Sequence, residues 1–350
     1  MTIDNNQSDS IETIFFLGAG ASVSAGVPTF NNFRKQAILI DKEISSKDEP
    51  IIKNLFELVL NYWNENFNES NIEELYEAVE MREMLAEPEI ITTKDIEEFI
   101  FYTIKKSSIK TENSIGLFED FLRFSLLFRP SAIITTNWDT ILESSRQWPL
   151  ESGWINYGCV KPYDPISYSE FSDYGPKFCI LKLHGSLNWG YCENCGHIYY
   201  LTEKISDRLT SLDGVKCNDD NCRENNFNLQ RMIVPPKLSK LIKPEPNSDS
   251  VSATSPYFKL VHIWKKAYNY LKLCERIFFI GYSFPETDVQ MRVLISSTLR
   301  MNTNLKEVII VSSPKHGNSR VNFEERYLSI LPKGQLEFYY NTFERFINEK

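Results

Sequence analysis

An apolar, β-rich run at residues 12–17 stops abruptly at Gly18-Ala19-Gly20. That pattern predicts a buried strand entering a tight turn, where small residues let the backbone approach a diphosphate and donate N–H groups at a helix start. The small-residue string continues through Ala21-Ser22-Val23-Ser24-Ala25-Gly26-Val27-Pro28. It departs from the ordinary fingerprint Gly-x-Gly-x-x-Gly, whose third glycine would fall where Val23 stands. Glycine in a plain structural turn is the competing account of Gly18 and Gly20.

Further β-rich runs at 132–135, 178–183, 276–280, 308–311 and 336–340 alternate with helix-sized segments, which predicts an α/β fold with a Rossmann-like parallel sheet. From about Phe33 to Phe128 the pattern changes to charged stretches with apolar residues at helical spacing, as in Ile72, Leu75, Tyr76 and Val79, and in Ile96, Phe99 and Ile100. The expected organisation is a core of residues 1–34, 129–189 and 230–350, a helical insertion at 35–128, and a small module at 190–229. The acidic run at 69–89 reads as a solvated helix face, with a partner surface as the alternative. Ser255 and Pro256 mark a helix start, followed by Tyr257, Leu260, Val261, Trp264, Tyr268 and Leu271 on one expected core face. Residues 243–255, rich in Pro, Ser and acidic side chains, read as a flexible loop.

The longest apolar runs, such as 277–280 and 308–311, fall far short of the roughly 20 residues that cross a bilayer. The polar start Met1-Thr2-Ile3-Asp4 lacks the features of a secretory signal, so a cytoplasmic location is the expectation. With 38 Lys and Arg against 47 Asp and Glu, the net charge of −9 disfavours an extended nucleic-acid surface and favours a small-molecule or protein ligand.

Three strand ends carry chemistry. Thr135-Thr136-Asn137-Trp138-Asp139 offers a neutral amide for positioning and a carboxylate that accepts hydrogen bonds, unless the pair caps the following helix. Leu181-Lys182-Leu183-His184-Gly185-Ser186 holds one of four histidines, whose ordinary pKa suits proton transfer near neutrality; a satisfied structural His is the alternative. Gly281-Tyr282-Ser283-Phe284-Pro285 and Ser312-Ser313-Pro314 are turns placed to line a nucleotide pocket, or plain turns.

Seven cysteines in a long chain of this kind are read for metal rather than for disulfides. Cys192 and Cys195, followed by Gly196, form a knuckle; Cys217 and Cys222 form a second pair with four intervening residues. Four thiolates favour a closed, structural zinc site, a zinc ribbon. His197 could stand in for one member of the second pair, and reduced, metal-free cysteines are the alternative. Cys159, Cys179 and Cys274 read as core residues.

The string from Gly18 to Pro28, the Thr-x-Asn-x-Asp element and the Leu-His-Gly element, in this order, resemble the motifs of sirtuins. The resemblance implies NAD binding by Gly18, Ala19, Gly20, Ser22, Pro28, Phe30, Arg34, Thr136, Asn137, Asp139, Gly281, Ser283 and Ser312. The family has Asp-Phe-Arg where this chain has Thr29-Phe30-Asn31, with Arg34 displaced by three residues. The resemblance further implies that Asn137 positions ribose or water, Asp139 helps hold the nicotinamide end, and His184 is the general base. Sirtuins also insert a four-cysteine zinc module just after their histidine.

Where deacylating sirtuins dock a peptide strand, this chain has Met232-Ile233-Val234-Pro235-Pro236-Lys237-Leu238-Ser239, and two prolines remove two backbone donors. The ensemble looks like the bacterial sirtuin-like proteins of antiphage defence. These hydrolyse NAD to nicotinamide and ADP-ribose, often form homo-oligomers, and often lie beside a HerA-type ATPase or a short Argonaute. The resemblance therefore implies an NAD glycohydrolase. A NAD-dependent protein-lysine deacylase and a non-catalytic NAD or ADP-ribose sensor are the alternatives. The helical insertion is the expected surface for assembly or regulation.

Overall fold

Strand β1, Thr13–Leu17, is buried at every position, as a continuous apolar run must be when helices cover both faces of a parallel sheet. The structure is a computed structural model and describes residues 11–44, 46–47, 49–67, 71–85, 90–108, 112–128, 131–144, 155–158, 160–163, 178–192, 194–201, 214–224, 227–234, 256–313, 318–331 and 336–349. After β1 come a 3-10 segment at Ala19–Ala25 and helices α1 (Phe33–Glu43), α2 (Pro50–Asn66), α3 (Ile72–Met84), α4 (Thr93–Ser107) and α5 (Glu112–Leu126). Then come β2 (Ser131–Thr135), α6 (Ile141–Ser144), β3 (Ile155–Asn156), β4 (Lys161–Pro162), β5 (Phe178–Lys182), β6 (Gly185–Cys192), β7 (Ile198–Tyr200), α7 (Asp220–Glu224) and β8 (Leu229–Ile233). The chain finishes with α8 (Pro256–Leu273), β9 (Arg276–Ile280), α9 (Val289–Met301), β10 (Glu307–Val311), α10 (Asn318–Ile330), β11 (Leu336–Tyr339) and α11 (Phe343–Asn348).

The main sheet has the order β11-β10-β9-β1-β2-β5-β3, and each of its strand pairs is parallel. This is the α/β fold that the alternating runs predict. Leu17 lies beside Thr135 on one side and Ile280 on the other. The chain fills the sheet to one side of β1 first and then, from β9 onward, to the other. The carboxyl end of β1 is therefore the topological switch point, where sheets of this kind leave a crevice for ligands. In a smaller sheet, β4-β7-β6-β8, strand β6 begins one residue after His184.

Two helices of the 33–126 segment start with capping boxes: Asn71 with Glu74, and Thr92 with Asp95. These satisfy the first orphan N–H groups of α3 and α4. Packing joins the segment to the sheet. Phe56 and Phe33 meet Phe99 at 4.8 and 6.2 Å between ring centroids. Phe121 of α5 meets Phe15 of β1 edge-on at 5.4 Å. One apolar cluster runs through both.

Helix α8 does begin at Pro256, but its buried face is Leu260, Ile263, Ala267, Tyr270 and Leu271. Val261, Trp264 and Tyr268 are only partly buried. The sheet takes the stripe of smaller aliphatic side chains, and the aromatic stripe is turned about a quarter of the way round the helix. Cys179 and Cys274 are core residues, as expected. Cys159, Ser255, residues 235–239 and the loop at 243–255 lie outside the described residues. Among the described residues, no helix is long and apolar enough to cross a membrane.

Candidate functional site

The glycines of the first turn are explained by a neighbouring loop. A Cβ on Gly18 would meet Tyr282 Cα at 2.6 Å, and one on Gly20 would meet the Gly281 carbonyl oxygen at 2.7 Å. Gly281 lies at φ +63°, and its Cβ would come within 2.2 Å of the Ala21 nitrogen. The N–H groups of Gly18 and Gly20 donate to the carbonyls of Ile280 and Gly281 at 2.9 and 2.8 Å. The small residues of this turn thus make room for the loop after β9, and the backbones of Gly18 and Gly20 bind it. Phe284, also at positive φ (49°), is held by Phe279, Tyr282 and Tyr327 with ring centroids 4.6–5.3 Å away. A left-handed phenylalanine persists only where such packing over-determines it.

At the switch point a cavity of about 910 Å³ opens. Of the sequence-predicted residues, Ala19, Gly20, Pro28, Phe30, Thr136, Asn137, Asp139, His184, Gly281, Ser283 and Ser312 line it. Gly18 and Ser22 stand behind the wall and hold Asn137: its Nδ2 donates to the Gly18 carbonyl at 3.0 Å and to Ser22 Oγ at 3.2 Å. With both amide hydrogens engaged, Oδ1 is the group that Asn137 has left to offer a ligand. Arg34 is the exception. It lies outside the cavity lining, bonded to Asn64 and 5.6 Å above the Trp63 ring. The three-residue displacement moves it onto α1, whose neighbour α2 captures it.

The chain leaves strand geometry at Thr135, so alternation does not govern the residues beyond it: Thr136, Asn137, Trp138 and Asp139 all line the cavity. Main-chain bonds tie this stretch to the next strand end, from Leu183 N–H to Thr135 O and from Leu187 N–H to Trp138 O, each 2.9 Å. The Trp138 indole N–H donates to the His184 carbonyl at 3.1 Å, and the Trp264 indole to that of Leu183 at 2.9 Å. His184 is 5% exposed, with the Trp264 ring centroid 6.4 Å away.

Asp139 is buried, and Oδ1 accepts the Ile141 N–H at 3.2 Å, so the capping alternative holds for this residue but not for Asn137. Burial pushes its carboxyl above the usual range; Lys182 opposes that shift, Glu143 adds to it, and Ser22 and Ile141 lower it again. Lys182 donates from Nζ to the Asp139 carbonyl at 2.5 Å and to Glu143 Oε1 at 2.8 Å. The side chains of this ion pair are only 2% and 8% exposed. Sequence reasoning missed it, although a lysine inside an apolar strand signals a buried partner. It also missed the share of the wall that comes from Asn71, Glu73 and Ile104 of the helical segment, and from Arg326, Asn341 and Thr342 near the C-terminus.

The four sulfurs of Cys192, Cys195, Cys217 and Cys222 lie within 4.8 Å of one another. Cys192–Cys222 at 3.7 Å and Cys195–Cys217 at 3.6 Å are far too long for disulfides. They match the edge of about 3.8 Å that a tetrahedron with Zn–S near 2.3 Å requires. Backbone amides of Asn194 and Cys195 face the Cys192 sulfur, and those of His197 and Asp219 face Cys195 and Cys217. Gly196 at φ 65° permits the turn. The donor set fits a closed zinc site. His197 stands 3.5 Å from Asp219 and is not among the clustered ligands.

No family model matches the chain, and no curated protein matches it in sequence. Among solved structures it is similar to a sirtuin described in terms of substrate affinity, with 15% identity over 97% of this chain and 91% of that chain and a TM-score of 0.41. It is also similar to Sir2 in complex with the inhibitor EX-527, 2'-O-acetyl-ADP-ribose and a deacetylated p53 peptide, with the same 15%, 97%, 91% and 0.41. A structure concerned with the mechanism and regulation of Sir2 enzymes aligns at 13% identity over 97% and 92% of the two chains, with a TM-score of 0.38.

Proposed function

We propose that the chain binds NAD in the switch-point cavity and hydrolyses its nicotinamide–ribose bond, giving nicotinamide and ADP-ribose. The observation that carries this reading is that Asn137 and His184, from two different strand ends, line one cavity and are tied together through Trp138. The cavity also reaches Ser283 after β9 and Ser312 after β10. At about 4.8 Å per strand, the ends of β5 and β10 stand roughly 19 Å apart along the sheet, a span that suits a dinucleotide rather than a mononucleotide.

In this reading the C–N bond to nicotinamide lengthens as positive charge develops on the ribose, as in glycoside cleavage. Asn137 Oδ1 accepts a hydrogen bond from the attacking water and holds it against the anomeric carbon. His184 takes the proton that this water gives up, the role that an imidazole fills near neutral pH. The electron pair of the broken bond leaves with nicotinamide. Asp139 receives the carboxamide end, and Phe30 and Trp138, 6.2 Å apart, wall the pocket with aromatic surface. Cys192, Cys195, Cys217 and Cys222 would hold a structural zinc that stabilises the small sheet, whose strand β6 begins beside His184.

An enzyme that empties a cell of NAD needs restraint. A role as an NAD-depleting effector of antiphage defence, restrained by homo-oligomer assembly or by a partner such as a HerA-type ATPase, rests on the motif resemblance. The test is incubation with NAD, with and without an acetyl-lysine peptide, following nicotinamide and ADP-ribose by chromatography beside Asn137→Ala and His184→Ala. Peptide-independent ADP-ribose that both variants lose is expected. Consumption only with peptide overturns hydrolysis in favour of deacylation, and tight binding without turnover favours a sensor.

A further inference from the structure

The cavity wall is acidic. Glu73, Asp139, Glu286, Asp288 and Glu344 line it, and Arg326 is the only lysine or arginine among its described lining residues. A diphosphate entering such a space meets net negative charge unless a cation answers it. Arg34, named by the resemblance among the NAD-binding residues, is engaged with Asn64 and Trp63 outside the cavity.

Arg326 lies on α10, the helix between β10 and β11. Its Nε is shielded from solvent and has no hydrogen-bond partner among the described residues. The contrast with Arg320 on the same helix is direct: that guanidinium bonds Glu324 at 3.1 Å and stacks over Tyr340 at 3.4 Å. A buried guanidinium donor left unmatched is costly, and the fork of donors that Arg presents fits phosphate oxygens. The helix is also held in place, because the hydroxyl of the next residue, Tyr327, donates to the Tyr282 carbonyl of the turn after β9. Arg326 is therefore carried on an element anchored to the cavity's own wall, on the opposite side of β1 from His184.

We infer that Arg326 is the phosphate-binding residue of this cavity, contacting the diphosphate of the bound nucleotide. The inference rests on the nucleotide reading above for its ligand, and inorganic pyrophosphate tests it separately. Titration calorimetry would compare ADP-ribose, pyrophosphate and adenosine on the wild type, Arg326→Gln and Arg326→Lys, with thermal melts reporting folding. The expected result is a loss of about tenfold or more in ADP-ribose and pyrophosphate affinity for Arg326→Gln, partial retention for Arg326→Lys, and no change for adenosine. Equal weakening of adenosine, or unchanged ADP-ribose binding, overturns the assignment while leaving the NAD reading intact. Wild-type binding of pyrophosphate that Arg326→Gln abolishes, with no binding of ADP-ribose, supports the phosphate site and overturns the NAD reading. If the wild type binds none of the three ligands, both fall. If Arg326→Gln does not fold, Arg326→Lys and the salt dependence of wild-type ADP-ribose binding decide, and binding insensitive to both overturns the assignment.

Discussion

The Trp138 indole nitrogen donates to the main-chain oxygen of His184 at 3.1 Å, linking the loop after β2 to the residue just beyond β5. The same carbonyl accepts the Val234 N–H at 2.8 Å. His184 is thus positioned by its backbone, from two directions, and Trp138 is a positioning residue for it. Trp138→Phe keeps an aromatic ring but removes the donor. Expected are a stability loss of about 1 kcal/mol and a fall of about tenfold in turnover, measured by denaturant titration and NAD kinetics. Unchanged kinetics would show that the indole bond does not position the imidazole.

Strands β1, β2 and β9 were legible because they are almost wholly buried and so appear as apolar runs, whereas β3, two half-buried residues at the sheet edge, left no such run. The motif residues at the strand ends were legible for a related reason: Asn137 and His184 come immediately after such runs. What the sequence hides is where a side chain goes once it leaves a regular element. Arg34 could have pointed either way from the start of α1, and α2 decided it through Asn64 and Trp63. The buried face of α8 depended on which stripe the sheet would accept. Arg326 lies on α10, outside every strand-end turn read from the sequence, and only the fold brings it to the cavity.

Lys182 and Glu143 form a buried pair at 2.8 Å. Removing one partner leaves an uncompensated charge away from water, so Lys182→Met or Glu143→Leu alone is expected to cost about 3–5 kcal/mol. Both changes together should recover most of that loss, because two apolar side chains need no compensation. Denaturant unfolding of the double-mutant cycle measures this. Additive losses would mean that the two groups act independently.

Asp139 makes stability depend on pH. Its carboxyl is raised above the usual range by burial, so the folded state holds a proton that the unfolded chain releases near pH 3.9. Stability therefore falls as pH rises from that value through the higher folded pKa. Asp139→Asn removes the titration while keeping an acceptor for Ile141. The variant should unfold at a higher denaturant midpoint than the wild type at pH 8, and the gap should close toward pH 4. A gap of the same size at both pH values would show that this carboxyl does not titrate between them.

The clustered sulfurs predict about one zinc per chain. Cys217→Ser should reduce the metal content measured by mass spectrometry and make the segment around 190–229 the first to be cut by protease. Full zinc in that variant would mean that Cys217 is not a ligand.

Gly281 separates two explanations of the small-residue turns. If small residues near the switch point exist to admit a diphosphate, alanine at Gly281 should weaken nucleotide binding and leave the fold alone. The geometry argues otherwise: the added Cβ lies 2.2 Å from the Ala21 nitrogen and 2.5 Å from the Gly20 carbonyl carbon, which are backbone atoms without a rotamer to yield. The residue also sits at φ +63°, where a side chain is strained regardless of space. Strain of about 1–2 kcal/mol and overpacking of about 1–3 kcal/mol point the same way, to a loss of stability of several kcal/mol. Gly116, inside α5 with open space around it, is the internal control. There alanine should stabilise by about 0.5–1 kcal/mol, since glycine gives up the most backbone freedom in a helix. Denaturant midpoints of the two variants should move in opposite directions. A Gly281→Ala protein as stable as the wild type but deficient in ADP-ribose binding would return these glycines to the ligand.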